Sequence, residues 1–221
     1  MTRWPEIARA QHGDDYAAAY AARFRELAEA GEDVHGEARF VHDLLVAEGR
    51  APARVLDAGC GTGRTAAHLH ALGHDVLGVD ADPAMVAQAR AEAPHLCFEV
   101  VDLARADGSL GPRDLVVLAG NVVPLVDRAD LPAVPQRLTP LLADGGLLVA
   151  GFGLDEDHLP DGCPPVALEV WLDACAAAGL VEEPRRAGWD GSAWASEVDG
   201  APAAYAVTVH RRRVGRAQTP W

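Results

Sequence analysis

An acidic residue and three glycines occupy alternate positions in the segment VLDAGCGTGR, at Asp57, Gly59, Gly61 and Gly63. Glycine adopts backbone conformations that other residues avoid, and it lets a ligand lie directly against the main chain. A carboxylate beside such a turn attracts a cation and repels a phosphate. The pattern therefore predicts a ligand that touches this turn and carries a positive centre. The alternative interpretation is a tight structural turn between a strand and a helix.

Two further acids follow later in the chain. Asp80 lies 23 positions after Asp57, in VLGVDADP, and Asp102 lies in FEVVDLA. A carboxylate at the end of a second strand can accept hydrogen bonds from both ribose hydroxyls of a nucleoside. An acid at the end of the third strand is placed to meet the edge of an adenine. Each acid alone could be a helix cap or a surface residue, but together they predict a nucleoside crevice.

The spacing of the glycines narrows the kind of nucleoside. A dinucleotide-binding turn needs G-x-G-x-x-G, whereas Arg64 occupies the sixth position of GCGTGR. A phosphate-binding P-loop needs G-K-[ST] after the turn, and the chain contains no lysine. The ligand that fits these residues is an adenosine that carries an amino-acid tail and a positive centre.

The elements that must position these residues alternate between short apolar strands and helices, which predicts a doubly wound α/β fold with a mostly parallel sheet. Two helices come first, at 14–31 and 36–49. The predicted strands are 54–59, 75–80, 96–102, 114–120, 147–153, about 181–189 and about 203–211. The predicted helices between them are 63–73, 82–93, 129–146 and 164–180, with Pro132 and Pro135 able to break the third.

Composition predicts one domain over residues 1–221, with an N-terminal helical cap (1–50), a core (51–213) and a tail (214–221). The net charge of −14, with arginine as every basic residue except histidine, disfavours nucleic acid as a partner. No apolar run is long enough for a membrane span, and no secretory signal is evident, so we expect no membrane partner and a cytoplasmic location. Four widely spaced cysteines predict no metal site, and the oligomeric state stays open.

The sequence resembles the class I S-adenosylmethionine-dependent methyltransferases. The similar segments are VLDAGCGTGR, GVDADPAMV, VVDLA, DLVVLAGNV and LADGGLLVAGF, and the likeness spans roughly residues 34 to 211. The chain looks most like small stand-alone actinobacterial-type members, in which a D-x-H-G-E-A element precedes the first strand, here at 33–38. The resemblance implies a Rossmann-like, seven-stranded sheet whose last strand is antiparallel.

The resemblance also implies S-adenosyl-L-methionine as the cofactor and assigns residues to it. The turn at 57–63 would hold the methionine part, Asp80 the ribose hydroxyls, Asp102 with Leu103 the adenine, and 119–121 would lie under the sulfonium. The cofactor-binding residues expected on this basis are Tyr20, Arg25, Asp57, Ala58, Gly59, Gly61, Gly63, Asp80, Ala81, Met85, Asp102, Leu103, Ala119 and Asn121.

The cap and the late loops supply the remaining candidates. Tyr16 and Tyr20 either close over the cofactor or form the buried stripe of the first predicted helix, and Arg25 could pair with the cofactor carboxylate. His158 is a candidate base on an acidic loop, although an exposed loop is the plainer interpretation. Asp190, with Trp189 and Trp194, is a candidate for the acceptor pocket.

These observations predict methyl transfer to a small-molecule acceptor by in-line displacement, mainly through positioning, because no motif fixes a catalytic base. The segment AGNVVPL replaces the N-P-P-[YF] motif of base-amino methyltransferases, which disfavours DNA bases as acceptors. Two alternatives stay open. One is a methyltransferase that acts on a protein or nucleic acid, and the other is a non-catalytic nucleotide-binding module with the same fold.

Overall fold

The computed structural model describes residues 2–198 and 200–214. Its main feature is a seven-stranded sheet with the order β3-β2-β1-β4-β5-β9-β6. The strands of the chain are β1 Arg54–Ala58, β2 Asp75–Asp80, β3 Cys97–Val100, β4 Arg113–Leu118, β5 Leu142–Gly153, β6 Leu180–Glu182, β7 Glu197–Val198, β8 Ala201–Pro202 and β9 Tyr205–Arg212. The first five strands pair in parallel, and β9 is antiparallel to both β5 and β6. The predicted doubly wound fold and its antiparallel last strand are confirmed.

Helices cover both faces of this sheet. They are α1 Trp4–His12, α2 Tyr16–Glu29, α3 Gly36–Ala47, α4 Arg64–Ala71, α5 Pro83–Glu92, α6 Val122–Leu125, α7 Ala133–Leu138 and α8 Leu168–Ala177. The central strands are apolar on both sides, so alternate residues of β4 enter two different cores. Val116 and Leu118 join the cluster that includes Trp171 of α8, whereas Leu115 and Val117 join the cluster that includes Leu45 of α3.

The position of the ligand crevice follows from the strand order. β1 pairs with β2 on one side and with β4 on the other. From β1 the chain first winds outward through β2 and β3, and it then returns to β4 and winds outward in the opposite direction. The loops that leave the carboxyl ends of β1 and β4 therefore separate and leave a gap between them. The glycine turn after β1 and the residues that follow β4 line this gap.

Two of the predicted elements differ from the structure. The segment 129–146 is not one helix: α7 is short, a 3₁₀ turn follows at Thr139–Leu141, and β5 already begins at Leu142. Three prolines at 132, 135 and 140 explain the break, because proline lacks the N–H that a continuous helix needs. The strand predicted at about 181–189 contains only β6, and the helix α1 was not predicted. No helix within 2–198 and 200–214 is long and apolar enough to cross a membrane.

The first three helices lie within residues 1–50, the segment expected to form a helical cap. α2 contacts α5, α3 packs on the sheet face beside α4, and α1 lies against α2. Helix α1 carries Pro5 in its first turn, where proline is favoured, and Gly13 follows its last residue. Most of the predicted tail, from residue 215 onward, lies outside the described residues.

Candidate functional site

The glycine turn after β1 folds back onto β2. The backbone N–H groups of Gly59 and Cys60 both donate to the carbonyl oxygen of Val79, at 2.7 and 2.9 Å. Gly59 and Gly61 both have positive φ, at +83° and +53°. A Cβ at Gly59 would lie 2.5 Å from Cγ2 of Val122, whereas a Cβ at Gly61 would have no atom within 4 Å. Gly59 is therefore required by packing, and Gly61 faces open space in which a ligand can lie.

Gly63 serves a different purpose from the other two glycines. It begins α4 with φ +82°, and a Cβ there would lie 2.8 Å from the ring of Phe98. It does not line the crevice. The third glycine of the motif thus permits close packing of the turn on β3, and ligand contact is not what requires it.

Asp57 is buried at the end of β1, only 1% exposed, and its Oδ2 atom has no hydrogen-bond partner. Burial raises the pKa of Asp57 from 3.8 to about 7, although the nearby Arg64 guanidinium lowers it. A buried carboxylate without a full set of partners is costly, and a cation or a hydrogen-bond donor on a ligand would relieve that cost. Asp57 therefore suits a ligand with a protonated amine.

Asp80 at the end of β2 is held by two backbone N–H groups. Its Oδ2 accepts from Gly61 and its Oδ1 accepts from Asp82, both at 2.9 Å. Burial raises the pKa of Asp80, and these backbone hydrogen bonds oppose the shift. Each carboxylate oxygen has a second lone pair, so the side chain can still accept from two neighbouring hydroxyls.

The strand ends enclose a cavity of 620 Å³, within the usual range for small-molecule sites. Asp102, whose Oδ1 caps a short 3₁₀ turn by accepting from Ala104, lies at one end of it. Eleven of the fourteen residues expected to contact a cofactor line this cavity, along with Gly120, Cys60 and Thr62. The eleven are Tyr20, Asp57, Gly59, Gly61, Asp80, Ala81, Met85, Asp102, Leu103, Ala119 and Asn121.

The three other predicted residues lie elsewhere. Ala58 is fully buried within β1, and Gly63 packs on Phe98 as described. Arg25 forms an ion pair with Glu92 at 2.6 Å and does not line the cavity, because its position on α2 directs it toward the end of α5. The pairing of Arg25 with a cofactor carboxylate is therefore not supported.

Arg64 and Arg23 are the arginines that do line the cavity. The Arg64 guanidinium makes two hydrogen bonds to Glu37, at 2.9 and 2.7 Å, donates to the carbonyl oxygen of Val34, and lies 4.5 Å from the ring centre of Phe24. It thus joins α4 to α2 and to the D-x-H-G-E-A element. The sequence showed Arg64 only as a departure from the dinucleotide pattern, and its partners are too distant along the chain to be predicted.

Helix α1 lines another part of the cavity, through Trp4, Gln11 and His12. Trp4 and Ile7 pack against Leu125, Leu159 and Cys163 in a small apolar cluster. The N–H of Arg3 donates to the carbonyl oxygen of Leu125 at 2.9 Å, and Nε2 of Gln11 donates to the carbonyl oxygen of Asp161 at 3.2 Å. Helix α1 is therefore attached to both sides of this part of the cavity.

The loop after β5 supplies His158. Its Nδ1 lies 2.7 Å from Oδ1 of Asp155, and its backbone N–H donates to the same oxygen at 3.1 Å. Nδ2 of Asn121 donates to the carbonyl oxygen of His158, while Oδ1 of Asn121 accepts from the N–H of Gly153. His158 lines the cavity, and the contacts with Asp155 and Asn121 fix its position there.

Asp190 and Trp189 do not lie at this cavity. Asp190 accepts hydrogen bonds from the N–H and hydroxyl of Ser192, and Nε1 of Trp189 donates to the hydroxyl of Tyr205. The Trp189 ring packs on Phe40 of α3. The structure therefore does not support this segment as a lining of the acceptor pocket: the Trp189 ring lies between α3 and Gly151 of β5, in the core on that face of the sheet. Within the described part of the chain, no three His, Cys, Asp or Glu side chains are grouped as a metal site requires.

Several known proteins that resemble this chain are methyltransferases. The family model described as a methyltransferase domain matches residues 55–146. A crystal structure of a TehB-like SAM-dependent methyltransferase from Corynebacterium glutamicum superposes with a TM-score of 0.75 and 32% identity, covering 90% of this chain and 98% of that one.

Two curated relatives match shorter regions. A protein-L-isoaspartate O-methyltransferase 2 from Marinobacter nauticus is 38% identical over 102 residues, which are 46% of this chain and 45% of the relative. A trans-aconitate 2-methyltransferase from Methylobacterium radiotolerans is 40% identical over 100 residues, 44% of this chain and 37% of the relative. The chain thus spans less than half the length of these two relatives.

Proposed function

We propose a small-molecule acceptor for this chain, which belongs to the class I S-adenosylmethionine-dependent methyltransferases. The observation that carries the proposal is the wall that α1 adds to the cavity, where hydrogen bonds attach it to Leu125 and to Asp161. A wall made of Trp4, Leu125 and Leu159 encloses a compact organic molecule better than it admits a folded protein or a nucleic acid. The net charge of −14 also disfavours a nucleic acid.

The residues of the crevice fit the cofactor in their chemistry. Bound S-adenosylmethionine would supply a methyl group activated by the positive charge of its sulfonium, with the neutral thioether as the leaving group. Asp57, with its unpartnered buried oxygen, would bind the ammonium of the amino-acid tail. Asp80 would accept from the ribose hydroxyls and Asp102 would meet the adenine. Gly61, which has open space where a Cβ would stand, would let the tail lie against the turn.

The contribution of this chain to catalysis would be mainly positioning. Helix α1 and the loop that carries His158 would hold the acceptor and exclude water from the cavity. Correct alignment of two reacting groups is worth roughly 7 to 11 kcal/mol, enough for a large rate enhancement without a dedicated acid or base. Asn121 would keep the loop in register with the end of β5, since its amide bonds to both.

A protein acceptor is the second candidate, and the observation that favours it is the relative from Marinobacter nauticus, whose name specifies isoaspartyl residues in proteins. That relative matches 46% of this chain, and the trans-aconitate 2-methyltransferase, whose name specifies a small acceptor, matches 44%, so these two likenesses do not separate the candidates. The choice between the two candidates therefore depends on which acceptor the cavity admits.

A labelling experiment distinguishes them. The purified chain would be incubated with S-adenosylmethionine carrying a ¹⁴C-methyl group and with three acceptor sets: small metabolites with amine, hydroxyl or carboxylate groups, an isoaspartyl peptide, and a DNA or RNA oligonucleotide. We expect label in the small-molecule set. Label found only in the isoaspartyl peptide or only in the oligonucleotide would overturn the proposal.

A further inference from the structure

Tyr16 connects the cap to the turn that follows β2. It is the first residue of α2 and is 1% exposed, and it packs among Ala8, Ala17 and Met85. Its hydroxyl donates to Oδ2 of Asp82 over 2.5 Å. Burial and this hydrogen bond raise the pKa of Tyr16 to about 12, so the hydroxyl keeps its proton under ordinary conditions. Tyr16 does not line the ligand cavity.

Asp82 links Tyr16 to Asp80, because it is hydrogen-bonded to both. Its Oδ1 accepts from the N–H of Ala84 and so caps α5, and its own backbone N–H donates to Oδ1 of Asp80, each at 2.9 Å. The second oxygen of Asp80 accepts from Gly61. One continuous set of hydrogen bonds therefore runs from the cap helix through two carboxylates to the glycine turn.

We propose that Tyr16 is a positioning residue for Asp80, acting through Asp82, and that docking of the cap and binding of the ribose are coupled through this contact. The inference rests on the proposed assignment of the ribose hydroxyls to Asp80. Asp82 is 2% exposed, so without the Tyr16 hydroxyl its Oδ2 would be a buried carboxylate oxygen with one donor fewer. The turn after β2 would then shift, and the backbone N–H of Asp82, which donates to Asp80, would move with it.

Coupling of this kind works in both directions. A ligand that fixes Asp80 must also favour the arrangement in which Asp82 receives the Tyr16 hydroxyl, so it stabilises the docked α2. We therefore expect S-adenosylhomocysteine to slow hydrogen exchange of the α2 amides in the parent protein. The same ligand should slow it less in Tyr16→Phe.

The test uses isothermal titration with S-adenosylhomocysteine on the full chain and a double-mutant cycle between Tyr16→Phe and Asp80→Ala. We expect Tyr16→Phe to weaken binding about three- to tenfold, the equivalent of one hydrogen bond. In the Asp80→Ala background the same change should not weaken binding further, because the Asp80 side chain through which Tyr16 acts on the ligand is already absent. Tyr205→Phe is the matched control: its hydroxyl bonds to Trp189 away from the cavity, and binding should match the parent.

Asp82→Ser provides a second variant if Tyr16→Phe does not fold. Serine caps a helix about as well as aspartate but is too short to reach the Tyr16 hydroxyl, so α5 keeps its cap while the link is lost. Unchanged affinity in a folded Tyr16→Phe or Asp82→Ser protein, or an equal loss in the Asp80→Ala background, would overturn the inference. If Asp80→Ala alone binds like the parent, the ribose assignment fails, which is a separate result.

Discussion

Asn121 holds the carbonyl group of His158 by a 2.9 Å hydrogen bond from its Nδ2 atom. Asn121 has φ +66° and is the one residue other than glycine with positive φ among those described. The same side chain accepts from Gly153, so a residue after β4 fixes both ends of the turn after β5. The side of the cavity that His158 lines thus depends on an asparagine in an unfavourable backbone conformation.

Replacing Asn121 separates its backbone role from its side-chain role. Asn121→Gly and Asn121→Ala both lose the two amide hydrogen bonds, but alanine also has to adopt a left-handed conformation, at a cost of about 1 to 2 kcal/mol. We expect the alanine variant to be less stable than the glycine variant by that amount in urea unfolding. Hydrogen exchange at Gly153 should accelerate in both. Equal stabilities would show that the left-handed backbone carries no strain.

Gly61 offers a test of ligand approach with an internal control. Gly61 and Gly73 both have positive φ, +53° and +94°, and a Cβ at either would have no atom within 4 Å. Valine at either position should therefore cost a similar free energy of unfolding, through backbone strain. Gly61 lines the cavity at the carboxyl ends of the strands, whereas Gly73 precedes β2 and lies at the amino ends of the strands.

Titration with S-adenosylhomocysteine distinguishes these two variants. We expect Gly61→Val to lose measurable binding, because the side chain fills space meant for the ligand, and Gly73→Val to bind like the parent. Equal affinities in the two variants would mean that the ligand does not lie against the glycine turn.

The raised pKa of Asp57 should make the free energy of unfolding depend on pH. Its folded-state pKa, about 7, lies above its ordinary value of 3.8, so the folded chain keeps a proton that the unfolded chain loses between those values. This group therefore stabilises the fold at low pH, and its contribution falls as the pH rises from about 4 to 7, by at most about 1.4 kcal/mol per unit.

Asp57→Asn should remove that fall, since the amide does not titrate. The measurement is urea unfolding without ligand at pH 5, 6, 7 and 8, taking the difference between parent and variant so that the other carboxylates cancel. The variant's advantage should grow up to pH 7 and then level off. A difference that does not change with pH would contradict the raised pKa.

The strand-end acids were predictable because each apolar strand ends at a polar residue. Asp57 and Asp80 follow runs of buried residues, Asp102 follows β3, and parallel strands bring their carboxyl ends to one edge. The glycine spacing and Arg64 correctly excluded a dinucleotide turn. These features depend on local sequence and on the general rules of parallel sheets, so no knowledge of tertiary packing was needed.

The cap residues were less predictable because their direction depends on how the helices dock. Arg25 and Arg23 stand two positions apart on α2, yet Arg23 lines the cavity and Arg25 pairs with Glu92. Only the rotation of α2, which Tyr16 and Asp82 help to set, decides between them. Helix α1 had usable signals in Pro5 and Gly13, but only Ile7 and Ala8 of its nine residues are buried.

Positioning as the main source of catalysis predicts how losses are distributed among variants. Once an acceptor is found, Tyr20→Ala and His158→Ala should each lower kcat moderately without abolishing turnover. Asp190→Ala should have no effect, because Asp190 bonds to Ser192 outside the cavity. If His158→Ala alone removed roughly 10²- to 10⁴-fold of kcat with both affinities intact, His158 would be a general base and the positioning mechanism would be wrong.

The affinity of Asp80→Ala for S-adenosylhomocysteine tests most directly the claim that the strand-end acids bind the cofactor. Isothermal titration would compare the parent, Asp80→Ala and Asp107→Ala; Asp107 also caps a turn, through the N–H of Ser109, but does not line the cavity. We predict that Asp80→Ala loses about 1.5 to 3 kcal/mol for each hydrogen bond to a ribose hydroxyl, while Asp107→Ala binds like the parent. A folded Asp80→Ala protein with the affinity of the parent would contradict the account.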